Sequence, residues 1–380
     1  MHFTSRLPDV GTTIFTVMSR LAAEHDAINL SQGFPDFPID SQLIDLVGHA
    51  MARDLNQYAP MQGVPELRSQ IARLLEKHYG VVADPESEVT ITAGATEALY
   101  SVMAAFVSPG DEVILFDPAY DSYSPAVRLN GGVPVHISLH YPDFKIDWSE
   151  VGRSVTKRTR MIVVNTPHNP LGTVLGASDM QELERIAEHH NLIVLSDEVY
   201  DRLVYDNHQH QSVLRFPGLR SRSCACFSFG KTLHATGWKV GYVVAPASLT
   251  AEIRKTHQYI TFSVNTPVQH ALANYLGAGD KLDGIPDFYQ HKRDLFLEQI
   301  KGSSFEPLPC KGSYFQLLSY RHISQKPDEE MAVDLTRLHK VAAIPISVFY
   351  WDKTDARILR FCFAKKDETL ARAGEILRKI

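Results

Sequence analysis

The sequence predicts an α/β protein in which helices cover both faces of a mostly parallel, doubly wound sheet. Three observations point to this fold. Short β-rich runs alternate with helical patterns between about residues 46 and 275. Those runs are apolar on both faces, as strands covered on both sides of a sheet are. The strand–helix–strand repetition then favours parallel strands joined by helical crossovers.

Six strands and two connecting helices are expected in this part of the chain. The expected strands are 88–92, 112–116, 161–165, 192–197, 223–229 and 240–245. The run 179–190 places apolar residues at three-and-four spacing, which predicts an amphipathic helix, whereas 96–107 is apolar nearly all round and predicts a buried one. Cys224 and Cys226 alternate within one strand, so we expect both to point to the same side as small core residues.

The two ends of the chain have a different pattern from the centre. Residues 1–45 hold a helical stretch at 13–25 and a proline-rich loop at 32–38. Residues 280–380 hold a charged helix near 287–301, strands at 313–318 and 358–363, and a last helix from Glu368. We therefore expect residues 46–279 to form a large domain, and residues 1–45 and 280–380 to form a smaller α+β domain with an N-terminal arm.

Composition excludes several classes of protein. The chain has 380 residues, 44% hydrophobic and 22% charged, which is ordinary for a globular protein and rules out fibrous and disordered classes. The net charge of −6 argues against a general nucleic-acid binder. Four cysteines are too few for a disulfide framework, and no apolar run has the length of a membrane span or signal peptide. We expect a cytoplasmic protein with neither a nucleic-acid nor a membrane partner.

The sequence does not complete several common nucleotide-binding, hydrolase or metal-binding motifs. The run Gly230-Lys231-Thr232 resembles the end of a phosphate-binding P-loop, but alanine at position 225 replaces the first required glycine. No G-x-G-x-x-G follows a strand, and no G-x-S-x-G occurs. The histidines at 189–190 and at 208 and 210 lack partners at ligand spacing, so we expect them to be solvated and to bind no metal.

Small and polar residues follow the predicted strands, where ligands bind in open α/β sheets. Gly94, Ala95 and Thr96 open the buried helix after strand 88–92, and such a helix N-terminus suits an anion such as phosphate. This feature alone is weak, because many strand–helix turns use glycine and threonine only to turn and cap.

Other strand ends carry an amide, a carboxylate and an amine. Asn169 lies in the proline-bound loop after strand 161–165, and Asp197 and Tyr200 come at the end of the next strand. A carboxylate that closes an apolar strand is costly without a cationic partner. Lys231 follows strand 223–229, where a lysine beside buried strands is a poor structural residue but a good nucleophile once its pKa is lowered.

These groups match the atoms of pyridoxal 5'-phosphate (PLP) one by one. The 94–96 turn, with Ser228 and Lys239, would bind the phosphate, and Asp197 would bind the protonated pyridine nitrogen. Asn169 and Tyr200 would bind the phenolic oxygen. Lys231 would bind the aldehyde, and Tyr120 would stack on the ring. Each group has an ordinary structural role open to it, such as a turn, a cap or a core position. Their order and spacing make coincidence a poor explanation.

Seven segments resemble the class I/II, fold-type-I, PLP-dependent aminotransferases, and the resemblance runs from about Leu7 to Lys379. They are NLSQGFPD at 29–36, NQYAPMQG at 56–63, TAGATE at 92–97, NTPHNP at 165–170, SDEVY at 196–200, SFGKT at 228–232 and RFCF at 360–363. Within the family, the segments are most similar to bacterial methionine aminotransferases, with kynurenine–oxoglutarate aminotransferases as relatives.

The resemblance implies a role for each matching residue. Lys231 would bind the cofactor aldehyde and then carry the proton between substrate Cα and cofactor C4′, while Asp197 would keep the pyridine nitrogen protonated. Asn169 and Tyr200 would bond the phenolic oxygen, and Tyr120 would stack on the ring. Gly94, Ala95, Thr96, Ser228 and Lys239 would bind the phosphate, although many relatives carry arginine in place of Lys239. Arg360, helped by Asn169 and the Gly33 backbone, would clamp the substrate carboxylate. Tyr58 would reach the phosphate of a neighbouring subunit, which implies a homodimer with a shared active site.

The expected reaction is a ping-pong transamination between an amino acid and a 2-oxo acid. Phe15, Phe34, Tyr58 and Tyr120 are expected near the substrate, and no second arginine motif is present for a side-chain carboxylate. This favours methionine, with aromatic amino acids, histidine or kynurenine as further donors. The alternatives are a cysteine-conjugate carbon–sulfur β-lyase or a kynurenine aminotransferase on the same scaffold. A non-catalytic PLP-binding regulator is disfavoured because no residues remain for a DNA-binding domain, and a nucleotide-binding protein because the P-loop fails.

Overall fold

The structure is a computed structural model that describes residues 4–380. The strands are β1 (Ile28–Asn29), β2 (Val89–Thr92), β3 (Glu112–Asp117), β4 (Val133–Ser138), β5 (Thr159–Asn165), β6 (Ile193–Asp197), β7 (Ser223–Ser228), β8 (Gly241–Val244), β9 (Glu306–Pro307), β10 (Phe315–Ser319), β11 (Val341–Ala342), β12 (Ile344–Pro345) and β13 (Ile358–Cys362). The helices are α1 (Ile14–Glu24), α2 (Ser41–Ala52), α3 (Pro65–Tyr79), α4 (Ala95–Phe106), α5 (Tyr123–Leu129), α6 (Trp148–Ser154), α7 (Ala177–His189), α8 (Pro217–Arg220), α9 (Phe229–Thr232), α10 (Ala247–Ile260), α11 (Thr266–Gly277), α12 (Ile285–Gln299), α13 (Asp328–His339) and α14 (Asp367–Leu377).

A seven-stranded sheet forms the centre of the molecule, in the order β2-β8-β7-β6-β5-β3-β4. The five strands β4, β3, β5, β6 and β7 run parallel to one another, whereas β8 is antiparallel to both β7 and β2. All six strands predicted from the sequence are present. The sequence pattern misses β4, because this edge strand is half-exposed and contains Pro134, so it lacks the doubly apolar pattern of its neighbours.

Helices cover both faces of this sheet, which confirms the doubly wound α/β class. Alternate strand residues point to opposite faces, and the core divides accordingly. Helix α4 packs its Leu99 and Val102 into the cluster that contains Cys224 and Cys226, as expected for the two cysteines. Helix α7 packs its buried face into the other cluster. That cluster also contains Ala225, which lies between the two cysteines in sequence and points to the opposite face of the sheet.

A second, antiparallel sheet lies near the C-terminus, in the order β12-β13-β10-β9. The N-terminal segment forms a separate two-stranded sheet beside it and bonds to β13. Strand β1 pairs in parallel with β11, and the Cys362 amide donates to the Leu30 carbonyl over 2.8 Å. Both ends of the chain therefore meet beside the large sheet, while the domain bounds at residues 46 and 279 stay a prediction.

Three structural features bear on the expected class of protein. No helix within residues 4–380 is long and apolar enough to cross a membrane. The four cysteines are buried and unpaired. Over the same described residues, no group of three or more His, Cys, Asp or Glu is arranged to hold a metal ion.

Candidate active site

A cavity of about 200 Å³ lies at the carboxyl ends of β5, β6 and β7, beside the first turn of α4. Ten residues predicted to bind the cofactor line it: Gly94, Ala95, Thr96, Tyr120, Asn169, Asp197, Tyr200, Ser228, Lys231 and Lys239. They come from six separate segments of the chain. The carboxyl edge of a parallel sheet brings such segments together because every strand–helix loop opens on that edge.

The turn before α4 offers backbone donors and a cation to an anion. Gly94 precedes the helix with a positive φ of 76°, which favours glycine. A Cβ built at Gly94 would lie 3.4 Å from the Lys239 Nζ, in ordinary van der Waals contact, so this amine stands directly beside the turn. The first N–H groups of a helix have no partner within it, and the helix dipole is positive there. The turn and Lys239 together suit a phosphate.

Asp197 is a buried carboxylate that no cation neutralises. The Tyr123 hydroxyl donates to its Oδ2 over 2.6 Å, and the Val199 amide donates to Oδ1 over 3.4 Å. Within residues 4–380, no lysine, arginine or histidine nitrogen forms an ion pair with this carboxylate. Burial raises the pKa of Asp197 to about 6. Such a group fits a ligand that brings its own positive charge.

Asn169 and Tyr200 border the same cavity. The Asn169 amide donates to the Asn165 Oδ1 over 2.7 Å, which fixes the loop after β5. The Asn165 side chain in turn donates to the Asp197 carbonyl over 2.8 Å, so the ends of β5 and β6 are tied together. Burial raises the pKa of the Tyr200 hydroxyl, which keeps it protonated as a hydrogen-bond donor.

Tyr120 also lines the cavity and is partly buried. Its ring packs edge-on against the Tyr123 ring, with the centroids 5.6 Å apart. Burial raises the pKa of the Tyr120 hydroxyl to about 12. The Tyr123 contacts therefore link the aromatic wall of the cavity to the Asp197 carboxylate.

Lys231 is held in α9, directly after β7. Its Nζ donates to the Tyr314 hydroxyl over 2.9 Å and to the Gly33 carbonyl over 3.3 Å. Burial lowers the pKa of Lys231 to about 8. An amine with this pKa has a substantial neutral fraction near physiological pH, so it can act as a nucleophile or a base.

Arg360 approaches the cavity from the second sheet, through Asn169. The guanidinium is buried and stands 3.9 Å from the centroid of Phe315 and 5.2 Å from that of Phe15. Its Nη1 donates to the Asn169 Oδ1 over 2.8 Å, and its Nη2 donates to the Ser31 carbonyl over 2.9 Å.

The Arg360 Nε is buried without a hydrogen-bond partner. No carboxylate of residues 4–380 forms an ion pair with this guanidinium. Burial lowers the pKa of Arg360 to about 10. A buried cation with an unused donor fits the carboxylate of a bound ligand.

Five predicted residues do not line the cavity of this single chain, and two of them, Arg360 and Gly33, reach its lining residues through hydrogen bonds. Phe15 stands beside the Arg360 guanidinium rather than in the cavity. The Phe34 ring is exposed and packs under the Lys365 amine. Tyr58 is 82% exposed, and its ring packs edge-on against Phe262 at 5.4 Å. The Gly33 backbone does reach the site, through its bond to Lys231.

The structure also adds residues that sequence patterns do not reveal. Tyr123 and Tyr314 contact Asp197 and Lys231, but a lone tyrosine in a sequence has many possible roles. The expectation of a solvated histidine is wrong for His210, whose Nε2 lies 2.8 Å from the buried Glu198. His210 is only 6% exposed, because the chain folds back over the end of β6 to pair it with this carboxylate.

The arrangement fits PLP on three structural observations. A buried carboxylate has no ion-pair partner among residues 4–380, a helix N-terminus and a lysine stand beside one glycine turn, and an amine of lowered pKa lines the same cavity. The carboxylate suits a pyridinium, the turn and its lysine suit a phosphate, and the amine suits an aldehyde.

The fold and the site together define a PLP-dependent aminotransferase, and the chain belongs to the aminotransferase class I and II family, which it matches over residues 25–377. Among the curated relatives, it is 51% identical to methionine aminotransferase of Escherichia coli strain K12 over 377 residues, covering 99% of this chain and 98% of the relative. It is 34% identical to human kynurenine–oxoglutarate transaminase 1, covering 98% and 97%.

Solved structures agree. The crystal structure of YbdL from Escherichia coli, identified there as a methionine aminotransferase, matches with a TM-score of 0.98 at 50% identity and covers the whole of both chains. N-succinyldiaminopimelate aminotransferase from Mycobacterium tuberculosis matches with a TM-score of 0.95 at 37% identity, again over both whole chains. The family, the fold-type-I class, the transaminase activity and the PLP cofactor expected from the sequence are confirmed.

Proposed function

We propose that this protein moves the amino group of methionine, and of aromatic or other large apolar amino acids, to a 2-oxo acid by a ping-pong mechanism. One observation carries the choice of donor. Arg360 offers a single carboxylate anchor among the rings of Phe15, Phe315 and Phe349. One anchoring cation with aromatic surroundings suits a donor with one carboxylate and an apolar side chain. The identity with the Escherichia coli methionine aminotransferase supports methionine.

In this proposal, the cavity holds PLP through the residues that line it. Gly94, Ala95, Thr96, Ser228 and Lys239 bind the phosphate; Asp197 pairs with the pyridine nitrogen; Asn169 and Tyr200 bond the phenolic oxygen; and Tyr120 covers the ring. When bound, PLP supplies an electron sink for the negative charge that develops at the substrate Cα.

The chain's own residues then orient the substrate and move the proton. Arg360 binds the substrate carboxylate with Asn169, which fixes the direction in which the Cα–H bond points. The Lys231 amine removes the proton from Cα, and its lowered pKa of about 8 makes it a base near physiological pH. The Asp197 carboxylate, which the Tyr123 hydroxyl orients, would keep the pyridine nitrogen protonated.

We also propose a homodimer in which Tyr58 completes the phosphate site of the partner subunit. An exposed aromatic patch supports this part of the proposal. Tyr58 is 82% exposed, Tyr259 at the end of α10 is 86% exposed, and Phe262 packs against Tyr58. Exposed aromatic patches of this kind mark interaction surfaces. We further infer a cytoplasmic location, which the unpaired cysteines support.

Initial rates with different donors test the proposed substrate class. Methionine, phenylalanine, histidine and kynurenine would be compared with aspartate and glutamate, each against several 2-oxo acids. We expect parallel double-reciprocal lines and a kcat/KM for methionine at least ~10-fold above that for aspartate, because a second carboxylate would be buried without a partner.

Two results would contradict this proposal. A preference for aspartate or glutamate would show that the site accepts a second carboxylate. Release of pyruvate and ammonia from a cysteine conjugate without an added oxo acid, at a rate well above transamination, would make a carbon–sulfur β-lyase the main function.

A further inference from the structure

A buried histidine–carboxylate pair lies behind the cavity and does not line it. His257 on α10 is 0% exposed, and its Nδ1 is 3.0 Å from the Oε1 of Glu97 on the first turn of α4. Two partners in a buried pair must be well bonded to offset the cost of removing them from water. Apart from a bond with Ser101 on α4, the further side-chain bonds of this pair lead to segments that the proposed function places at the cofactor or at the subunit interface.

Glu97 ties down the turn proposed to bind the phosphate. Its Oε2 accepts a hydrogen bond from the Ala93 amide over 3.0 Å, just before Gly94. Ser101 donates to the other carboxylate oxygen. A glutamate at the third position of a helix commonly reaches back to backbone donors at the helix start. Glu97 thereby fixes the path of the chain into the helix N-terminus.

The other side of the His257 ring holds the segment that carries Tyr58. The Nε2 of His257 is 3.0 Å from the Met61 carbonyl. The next residue of this segment, Gln62, accepts a hydrogen bond from Ile91 on β2 over 3.0 Å, and β2 itself leads into the Ala93 turn. Residues 58–63, the Tyr58 segment, and the phosphate turn are thus joined by one imidazole ring.

The partners fix the orientation of the His257 ring. The Met61 carbonyl can only accept, so Nε2 donates to it. On the other side of the ring, the Glu97 oxygen that faces Nδ1 also accepts from Ser101, and the second Glu97 oxygen accepts from Ala93. One ring nitrogen therefore contacts the Tyr58 segment, and the other contacts the carboxylate that holds the phosphate turn.

We propose that His257 is a positioning residue that couples the phosphate turn to the Tyr58 segment, so that PLP binding and the association of two copies of this chain strengthen each other. This inference rests on the proposed function, in which the turn binds phosphate and Tyr58 reaches the partner subunit. Because coupling of two binding events is reciprocal, PLP should tighten the dimer by the same factor by which dimer formation tightens PLP binding.

Two conservative variants separate the two bonds of the ring. His257→Asn places an amide nitrogen near the position of Nδ1 and keeps the donor to Glu97, whereas His257→Gln places it near Nε2 and keeps the donor to Met61. Sedimentation would give the dimer dissociation constant with and without PLP, and absorbance titration would give the PLP dissociation constant. Thr250→Val is the control, because it removes a buried hydrogen bond from the same helix without touching either segment.

We expect PLP to tighten the wild-type dimer by about 10-fold, within the range usual for coupled sites. Both histidine variants should lower this factor to about 3-fold or less, because each variant breaks one of the two bonds, to Glu97 or to Met61, that carry the coupling. PLP binding should weaken more in His257→Gln than in His257→Asn. Thr250→Val should keep the wild-type factor.

Several outcomes would overturn the inference. Equal dimer constants with and without PLP in the wild type would show that there is no coupling, and wild-type coupling in both histidine variants would show that His257 does not carry it. A nitrogen NMR spectrum of the folded protein must show hydrogen on Nε2, the donor to Met61, so a ring protonated only at Nδ1 overturns the inference even if the variants fold poorly. A wild-type protein that binds no PLP would instead defeat the proposed function itself.

Discussion

The carboxyl edge of the seven-stranded sheet and the antiparallel sheet of β10 and β13 contribute to one site in different ways. The first region presents Asn169, Asp197 and Lys231 in or beside the loops that follow successive parallel strands. The second presents Arg360 from the interior of β13, where it pairs with Leu317 of β10. One region carries groups that match a cofactor, and the other carries the group that matches a substrate carboxylate.

Two side-chain hydrogen bonds join the proposed catalytic and substrate-binding groups of these regions. Asn169 accepts from Arg360 over 2.8 Å, and Lys231 donates to Tyr314 over 2.9 Å. Because the groups of each region match a different ligand, changes in one region should alter cofactor retention and changes in the other should alter substrate affinity. Substitutions that mix the two effects would show that the regions act as one unit.

The largest effect is expected from Lys231→Ala, which removes the group shared by both halves of the reaction. We expect transamination of methionine to fall by at least ~10³-fold, because nucleophile and proton carrier are lost together. The visible absorbance of the bound cofactor should disappear as well. Lys255→Ala, on the surface of α10, is the control and should leave both unchanged. Substantial activity in Lys231→Ala would remove this lysine from the mechanism.

A smaller but still large effect is expected from Arg360→Lys in the second region. The ammonium cannot reproduce a planar, two-pronged contact with a carboxylate, so kcat/KM for methionine should fall by ~10²-fold, mainly through KM. The cofactor absorbance should be retained, because no cofactor-binding group changes. Equal losses of cofactor and substrate affinity would contradict the separation of the two regions.

The pH dependence of cofactor uptake tests the environment of Lys231. Burial lowers its pKa to about 8, so the neutral, reactive amine is lost as the pH falls below this value. The rate at which cofactor-free protein takes up PLP should rise with pH and level off above about 8, and at pH 6 it should be roughly 10²-fold lower than the plateau. A rate that keeps rising toward pH 10 would mean an amine with an ordinary pKa.

The smallest effect is expected from Tyr123→Phe in the first region. It removes the hydroxyl that donates to the Asp197 carboxylate over 2.6 Å, and a hydrogen bond to a charged group contributes about 1.5–3 kcal/mol. The PLP dissociation constant should therefore rise by at least about 10-fold, with little change in the KM for methionine. Tyr350→Phe loses a similar buried hydrogen bond to Leu139 outside the site and should not change PLP binding.

The sequence reveals the first region better than the second. Parallel strands are apolar on both faces and end in loops, so Asp197 and Lys231 stand out at the strand ends, and the family motifs add Arg360. Tyr123 and Tyr314 act through contacts between distant segments, 74 and 83 residues from their partners, which no local pattern records. Edge strand β4 lacks an apolar pattern because it is half-exposed, and His210 is buried only because Glu198 pairs with it.

The most direct test of the central claim is an absorbance spectrum of the purified protein with PLP, recorded before and after methionine is added without any 2-oxo acid. We expect a band near the edge of the visible range that shifts to shorter wavelength in a single turnover and returns when a 2-oxo acid is added. A bound cofactor whose spectrum does not respond to methionine would contradict the proposed donor, and a protein that shows no such band with PLP would contradict the whole account of the site.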